Sequence, residues 1–151
     1  MHTPTAHLTA DMVVIGHDPT GTPSVLLIER GHAPFAGHLA LPGGYVEDDE
    51  TFQQAAVREL AEETGVTVDP DHLHQIGVYD TPDRDPRGRV VSTAYLAVVP
   101  DRPIAVAADD ATMARWVRLD PLARRTSPRS LAFDHATILA AAVALFTTLT
   151  R

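Results

Sequence analysis

The sequence predicts an α/β fold in which a mixed β-sheet lies between helices. Runs rich in β-branched and apolar residues, bounded by turns containing Pro and Gly, recur along the chain as strands do. They are interrupted by one central stretch with helix start and stop signals and followed by one alanine-rich terminal stretch, which provides a helix for each face of a sheet. At 151 residues the chain is long enough to bury most of its apolar surface around a single core, and one domain over residues 1–151 is expected.

Residues 8–17 (Leu-Thr-Ala-Asp-Met-Val-Val-Ile-Gly-His) read as a strand, residues 18–22 as a turn with Pro19 and Gly21, and residues 24–29 as a second strand completing a hairpin. A loop with Pro34 and Phe35 covers residues 31–37, and residues 38–41 lead extended into a bend at Pro42-Gly43-Gly44. The spacing predicts a helix over residues 52–64: Thr51 serves as N-cap, Gln54 completes a capping box, and Gly65 suits the left-handed residue that ends a helix. Residues 72–79 and 90–99 read as strands joined by a polar loop, and residues 112–118 as another strand carrying Trp116. Residues 120–130 read as a loop, and residues 133–149 as a helix capped by Asp134.

Composition excludes several classes. No cysteine is present, which removes disulfides, thiolate nucleophiles and thiolate metal sites. A net charge of −8 argues against broad nucleic-acid or acidic-membrane binding, both of which need a basic face. A phosphate-bearing substrate would therefore need local cations, either arginines or metal ions. The N-terminus lacks a secretion pattern and the longest apolar stretch, residues 138–146, is too short to cross a bilayer, so a cytoplasmic protein is expected.

The chemistry concentrates in residues 43–66. On a helical wheel of about 100° per residue, Glu59, Glu62 and Glu63 share one arc of about 100°. Phe52, Ala55 and Ala56 fall in or beside that arc, so the acids are continuous with residues that prefer burial, unlike a solvated stripe. Clustered carboxylates repel one another unless a cation compensates, and a hard divalent ion held by oxygen, Mg²⁺ with Mn²⁺ as a substitute, suits them. Arg58 lies too far round for metal contact but can hold a carboxylate in orientation. Gly43 and Gly44 let the backbone bend sharply and approach closely.

Gly44, Glu50 after five intervening residues, and the ending Arg58-Glu59-Leu60-Ala61-Glu62-Glu63-Thr64-Gly65-Val66 form the full pattern of the Nudix box. Its constrained positions make a chance match on the order of 10⁻⁷ or less. The chain thus resembles the Nudix hydrolases, pyrophosphohydrolases of a nucleoside diphosphate linked to another group. That resemblance implies an α/β/α sandwich, a metal-ligating carbonyl at Gly43 beside the ligands Glu59, Glu62 and Glu63, and Glu50 as partner of Arg58, although charge at a helix N-terminus explains Glu50 equally. Gly44 and Gly65 take supporting roles. Catalysis is assigned to Glu59, Glu62 and Arg58. Family members differ in the general base: either Glu59, or a residue of a later loop, for which Asp83, Asp85, Asp109 and Asp110 are the candidates.

Outside the box, residues 83–92, Asp109-Asp110-Ala111 before Arg115-Trp116, and Leu131-Ala132-Phe133-Asp134-His135 resemble the ADP-ribose pyrophosphatase branch. Arg84, Arg87, Arg89 and Arg30 are candidate grips for phosphate or ribose. Asp11, a carboxylate inside an apolar strand, needs a partner or must face the ligand. Phe35 and Trp116 are candidates to stack on adenine, with core packing favoured for Trp116, and His135 reads as structural. Many relatives carry Trp where this sequence has His38, which bears on base preference. The expected function is metal-dependent hydrolysis of ADP-ribose to AMP and ribose 5-phosphate. The alternatives are a house-cleaning hydrolase of nucleoside triphosphates or dinucleoside polyphosphates, and a ligand sensor like the Nudix-like domain of regulators of NAD metabolism. A nucleotide-type small molecule is the expected partner, with no nucleic acid and no membrane, and the resemblance implies a homodimer.

Overall fold

A computed structural model describes residues 1–108, 111–119 and 131–151. The expected loop at 120–130 and the base candidates Asp109 and Asp110 lie outside the described residues. Seven strands form a mixed sheet: β1 (His7–His17), β2 (Pro23–Arg30), β3 (Leu39–Ala40), β4 (Gly43–Tyr45), β5 (His74–Tyr79), β6 (Val90–Val98) and β7 (Ala111–Arg118). Helices α1 (Phe52–Thr64) and α2 (His135–Leu149) cover its two faces. The alternation of side chains along a strand divides the core between them. Ala10, Met12 and Val14 pack with Ala55, Ala56 and Leu60 of α1, whereas Val13 and Ile15 pack with Ile138, Leu139, Ala142 and Phe146 of α2. The architecture is the expected α/β/α sandwich. Among the described residues no helix is long and apolar enough to cross a membrane.

Strand β1 organises the site. Along one edge it pairs in parallel with β6 from His7 to Ile15. The other edge is shared: residues 15–17 pair with β2, and residues 9–11 pair with β4. The sheet forks between them, where the Met12 N–H donates to the Pro42 carbonyl at 2.9 Å. Residues 39–45 cross this fork from β2 to β1, and Asp11 sits at its opening, in register with Gly43.

Three local expectations need correction. Gly43 and Gly44 belong to a short strand, β4, because an extended path satisfies their backbone against β1 where a free bend would not. Strand β5 starts at His74, since Asp69 and Pro70 set up a single 3₁₀ turn over Pro70–His72. Helix α2 starts at His135, and the Asp134 side chain makes no capping bond because Arg84 engages its carboxylate.

Candidate active site

Helix α1 builds the acidic wall of a cleft. Its start is fixed by the reciprocal bonds of Thr51 and Gln54, and its end by Gly65 at φ 73°. Between these stops the acids fall on one side in order of decreasing exposure. The Glu62 side chain is 45% exposed, that of Glu59 18%, and Glu63 only 5%. The Gly43 N–H donates to Glu63 Oε1 at 2.8 Å, tying β4 to the buried end of the row. Glu59 packs on Gly44, where an added Cβ would lie 2.5 Å from the Glu59 carboxyl carbon. At Gly43 an added Cβ would strike the Ala10 carbonyl and the Asp11 carboxylate. Each glycine of the pair thus makes room for a different carboxylate.

Arg58 holds the row from behind. Its guanidinium donates through Nε to Glu50 at 3.0 Å, through Nη1 to Glu59 at 2.8 Å and Glu62 at 3.1 Å, and through Nη2 to Glu50 and to the Tyr45 carbonyl at 2.9 Å. Hydrogen bonds from Arg58 hold the Glu50 carboxyl below the usual carboxylate range, and the same bonds raise the arginine further above its own ordinary value. Glu50 is thereby placed as the arginine's partner.

The opposite wall comes from three separate segments. Arg30, at the end of β2, donates to the Pro34 carbonyl at 2.8 Å and lies 4.9 Å from the centre of the Phe133 ring. From the loop after β5, Arg87 pairs with Asp85 through Nε at 3.1 Å and Nη2 at 2.8 Å, and its guanidinium lies 5.6 Å from the same ring. Burial pushes the Asp85 carboxyl up, but the bonds from Arg87 outweigh it and leave it below its ordinary value. Phe133 itself is held in the left-handed region at φ 53°, uncommon for a bulky residue, which brings its ring into the cleft between the two arginines.

Beneath these walls a buried polar network forms the floor. The Ser92 hydroxyl donates to Asp11 at 2.6 Å, and Arg84 Nη2 stands 3.9 Å from the same Asp11 oxygen. Arg84, 4% exposed, donates in bidentate fashion to Asp134 at 2.6 and 2.9 Å. His135 Nδ1 accepts the Leu41 N–H at 3.0 Å, and its Nε2 stands 3.6 Å from Asp11 Oδ1. Burial pushes the His135 pKa down against the pull of Asp11 and Asp134. Because Nδ1 accepts the Leu41 N–H, the ring proton sits on Nε2.

These parts enclose a cleft of about 650 Å³ lined by Asp11, Arg30, Gly43, Gly44, Tyr45, Glu59, Glu62, Glu63, Arg84, Asp85, Arg87, Phe133 and His135, among others. Nearly all the residues singled out for metal and substrate converge there. Arg58, Glu50 and Gly65 do not line it; the first two sit behind the acids and the third ends the helix. Arg89 and Asp83 are exposed and do not line the cleft. Trp116 packs under α1 and donates to the Pro103 carbonyl, and Phe35 and His38 stack outside the lining, Phe35 edge-on to Phe133. The sequence places Phe133 and Asp134 at a helix start and in a stretch resembling the ADP-ribose pyrophosphatase branch, without a contact for either. Their signal was the Leu-Ala-Phe-Asp-His stretch itself, but its meaning needs Arg30, Arg84 and Arg87 in view.

Three comparisons bear on identity. An ADP-ribose pyrophosphatase of Methanocaldococcus jannaschii is 44% identical over 115 residues, which is 76% of this chain and 63% of that protein. The ADPR responsive transcriptional repressor NtrR of Acinetobacter baylyi is 33% identical over 150 residues, covering 98% of this chain and 57% of that one. The chain thus spans about three fifths of the length of these curated relatives. Among solved structures, the NUDIX domain of Shewanella oneidensis NrtR complexed with ADP ribose superposes with a TM-score of 0.82 at 27% identity, over 95% of this chain and 90% of that one. The NUDIX domain profile matches residues 6–142, and with the complete box on α1 this means that the chain belongs to the Nudix family.

Proposed function

We propose that this chain is a divalent-metal-dependent pyrophosphohydrolase that cleaves ADP-ribose to AMP and ribose 5-phosphate. The observation that carries the proposal is the division of one cleft into an acidic wall, Glu59, Glu62 and Glu63 against the glycine pair, and a basic wall with Arg30 and Arg87. A pyrophosphate bridging the two walls meets cations from both sides once a metal joins the acids. The similarity to an ADP-ribose pyrophosphatase and to an ADP-ribose-bound Nudix domain supports the choice of substrate.

Nudix hydrolases generally use divalent metal ions. The residues present suit such an ion: the donors are all oxygen, and Gly44 leaves the space that lets the Glu59 carboxylate lie against the backbone. Oxygen donors of this kind suit Mg²⁺, or Mn²⁺ in its place, which keeps waters and substrate phosphates in its coordination sphere. Glu59, Glu62, Glu63 and the Gly43 carbonyl would hold it, and when bound it supplies charge neutralisation of the pyrophosphate and a more acidic attacking water.

The side chains do the rest. Arg58 keeps Glu59 and Glu62 in place, and Arg87 and Arg30 meet phosphate or ribose oxygens opposite. Glu59 takes the proton of the attacking water. Among the described alternatives, Asp83 does not line the cleft, and Asp85 has both carboxylate oxygens taken up by Arg87. Arg84 acts through Asp134 rather than on the substrate, its guanidinium being committed there.

A hydrolysis screen with Mg²⁺ over ADP-ribose, NADH, diadenosine polyphosphates and nucleoside triphosphates tests this reading. AMP with ribose 5-phosphate is the expected result, whereas pyrophosphate released from a triphosphate without ADP-ribose cleavage sinks it. A second reading, an ADP-ribose sensor without turnover, draws on the likeness to the repressor over nearly the whole chain. Tight ADP-ribose binding with no product in the presence of Mg²⁺ or Mn²⁺ would favour the sensor. The same proposal includes one domain over residues 1–151 and a homodimer, which sedimentation tests.

A further inference from the structure

The five residues 131–135 reach almost every part of the site. Leu131 bridges to Leu39, and the Ala132 N–H donates to the Leu39 carbonyl at 2.8 Å. Phe133 stands between Arg30 and Arg87, Asp134 holds Arg84, and His135 receives the Leu41 N–H. Leu41 is the position where the sheet needs help. It follows β3, which ends its pairing with β2 at Ala40, and precedes β4, which takes up pairing with β1 at Gly43. Its N–H is thus buried between two ladders, belonging to neither, and Pro42 has no N–H to share the load. A buried donor left unmet is costly, and the imidazole meets it.

The consequence reaches the acids within two residues. The Pro42 carbonyl accepts from Met12, and the Gly43 N–H donates to Glu63. We propose that His135 is a positioning residue: its Nδ1 clamps Leu41 across the fork of the sheet and so sets where the Gly43 backbone meets the acidic wall. Asp11, 3.6 Å from Nε2, orients the ring so that Nδ1 is the acceptor. The proposal rests on the reading of the cleft as a pyrophosphohydrolase centre, but the clamp itself is testable without turnover.

In uniformly ¹⁵N-labelled wild-type protein, a coupling through the hydrogen bond between Leu41 N and His135 Nδ1 is expected, and its absence overturns the clamp whatever the variants do. His135→Asn keeps an acceptor near the Nδ1 position, and His135→Gln moves it away. The Gln variant is expected to lose about 10- to 100-fold in kcat and in Mn²⁺ affinity, with KM little changed, and the Asn variant to recover most of both. In metal-free protein the amides of Leu41 and Gly43 should exchange faster in the Gln variant while amides in β6 keep wild-type protection. Equal losses in Asn and Gln variants, or faster exchange at Leu41 with unchanged Mn²⁺ affinity, overturn the proposal. If wild-type protein hydrolyses nothing, the enzymatic reading fails, while the coupling, the exchange and the Mn²⁺ affinity still decide the clamp.

Discussion

The two walls of the cleft are built in opposite ways. The acidic wall is local: Gly43, Gly44, Glu50, Arg58, Glu59, Glu62 and Glu63 come from one short strand, one turn and one helix, bound to each other by Arg58 and the Gly43 N–H. The basic wall is assembled from Arg30, the loop after β5 and the entry to α2, which touch only because the sheet folds them together. A wall carried on one capped helix is held rigidly, as reaction chemistry requires. A wall of loop-borne arginines around an aromatic ring suits recognition, since loops vary without disturbing the core. On the proposed reading, the molecule separates the reaction from the choice of substrate.

The largest expected effect tests the acidic side. Glu59→Gln should lower Mg²⁺-dependent kcat on ADP-ribose by about 10²–10⁴-fold, and Glu62→Gln should remove most turnover, with thermal unfolding close to wild type in both. Native rates from both variants would mean that the helix face is not the reaction wall and the comparison is wrong at its root.

This division also explains what the sequence made legible. The acidic wall lies within residues 43–63, where helical spacing alone puts Glu59, Glu62 and Glu63 on one side, and the caps at Thr51 and Gly65 mark the helix to the residue. The layered fold followed from strand runs and two helices. The basic wall was legible only as a set of arginines of equal standing. Nothing in residues 83–92 distinguishes Arg84, buried on Asp134 at the floor of the cleft, from Arg87 in its wall or Arg89, which does not line it, because the distinction depends on a partner 50 residues away. Asp134 looked like a cap for the same reason: a carboxylate before a helix has a local use, and only the tertiary structure shows that Arg84 outcompetes it. Strand β4 escaped notice because two glycines read as a bend until β1 is there to pair with them.

The glycine pair sharpens the contrast within the acidic wall. The atoms nearest a Cβ at Gly44 are the carboxylate end of the Glu59 side chain, which can swing away, so Gly44→Ala should fold normally yet lose about 10- to 100-fold in kcat through misplacement of that carboxylate. A Cβ at Gly43 meets the Ala10 backbone, which cannot yield, so Gly43→Ala should cost about 1–3 kcal/mol in urea unfolding. If Gly44→Ala retained full activity, the packing of Glu59 on β4 would have no part in the chemistry.

On the basic side, Arg87→Ala should raise KM for ADP-ribose about tenfold, the loss of roughly 1.4 kcal/mol of binding, with kcat less affected. Arg89→Ala is the control and should change neither, since that side chain stands outside the cleft. A kcat loss at Arg87 with unchanged KM would place it with the reaction rather than with recognition, and would erase the proposed separation.

The smallest effect concerns Glu50, which acts on neither substrate nor water but on the arginine behind the acids. Its folded pKa is held down by the Arg58 bonds, so it stabilises the protein above its unfolded value of about 4.3, and that contribution fades as pH falls through the folded value. Glu50→Gln should therefore be less stable than wild type by about 1 kcal/mol at pH 7, and the gap should close as the pH falls below about 4, giving the variant the shallower acid-side slope in urea unfolding. Parallel slopes would mean that Arg58 does not depend on Glu50, and that the helix holds its acids without a brace from the preceding turn.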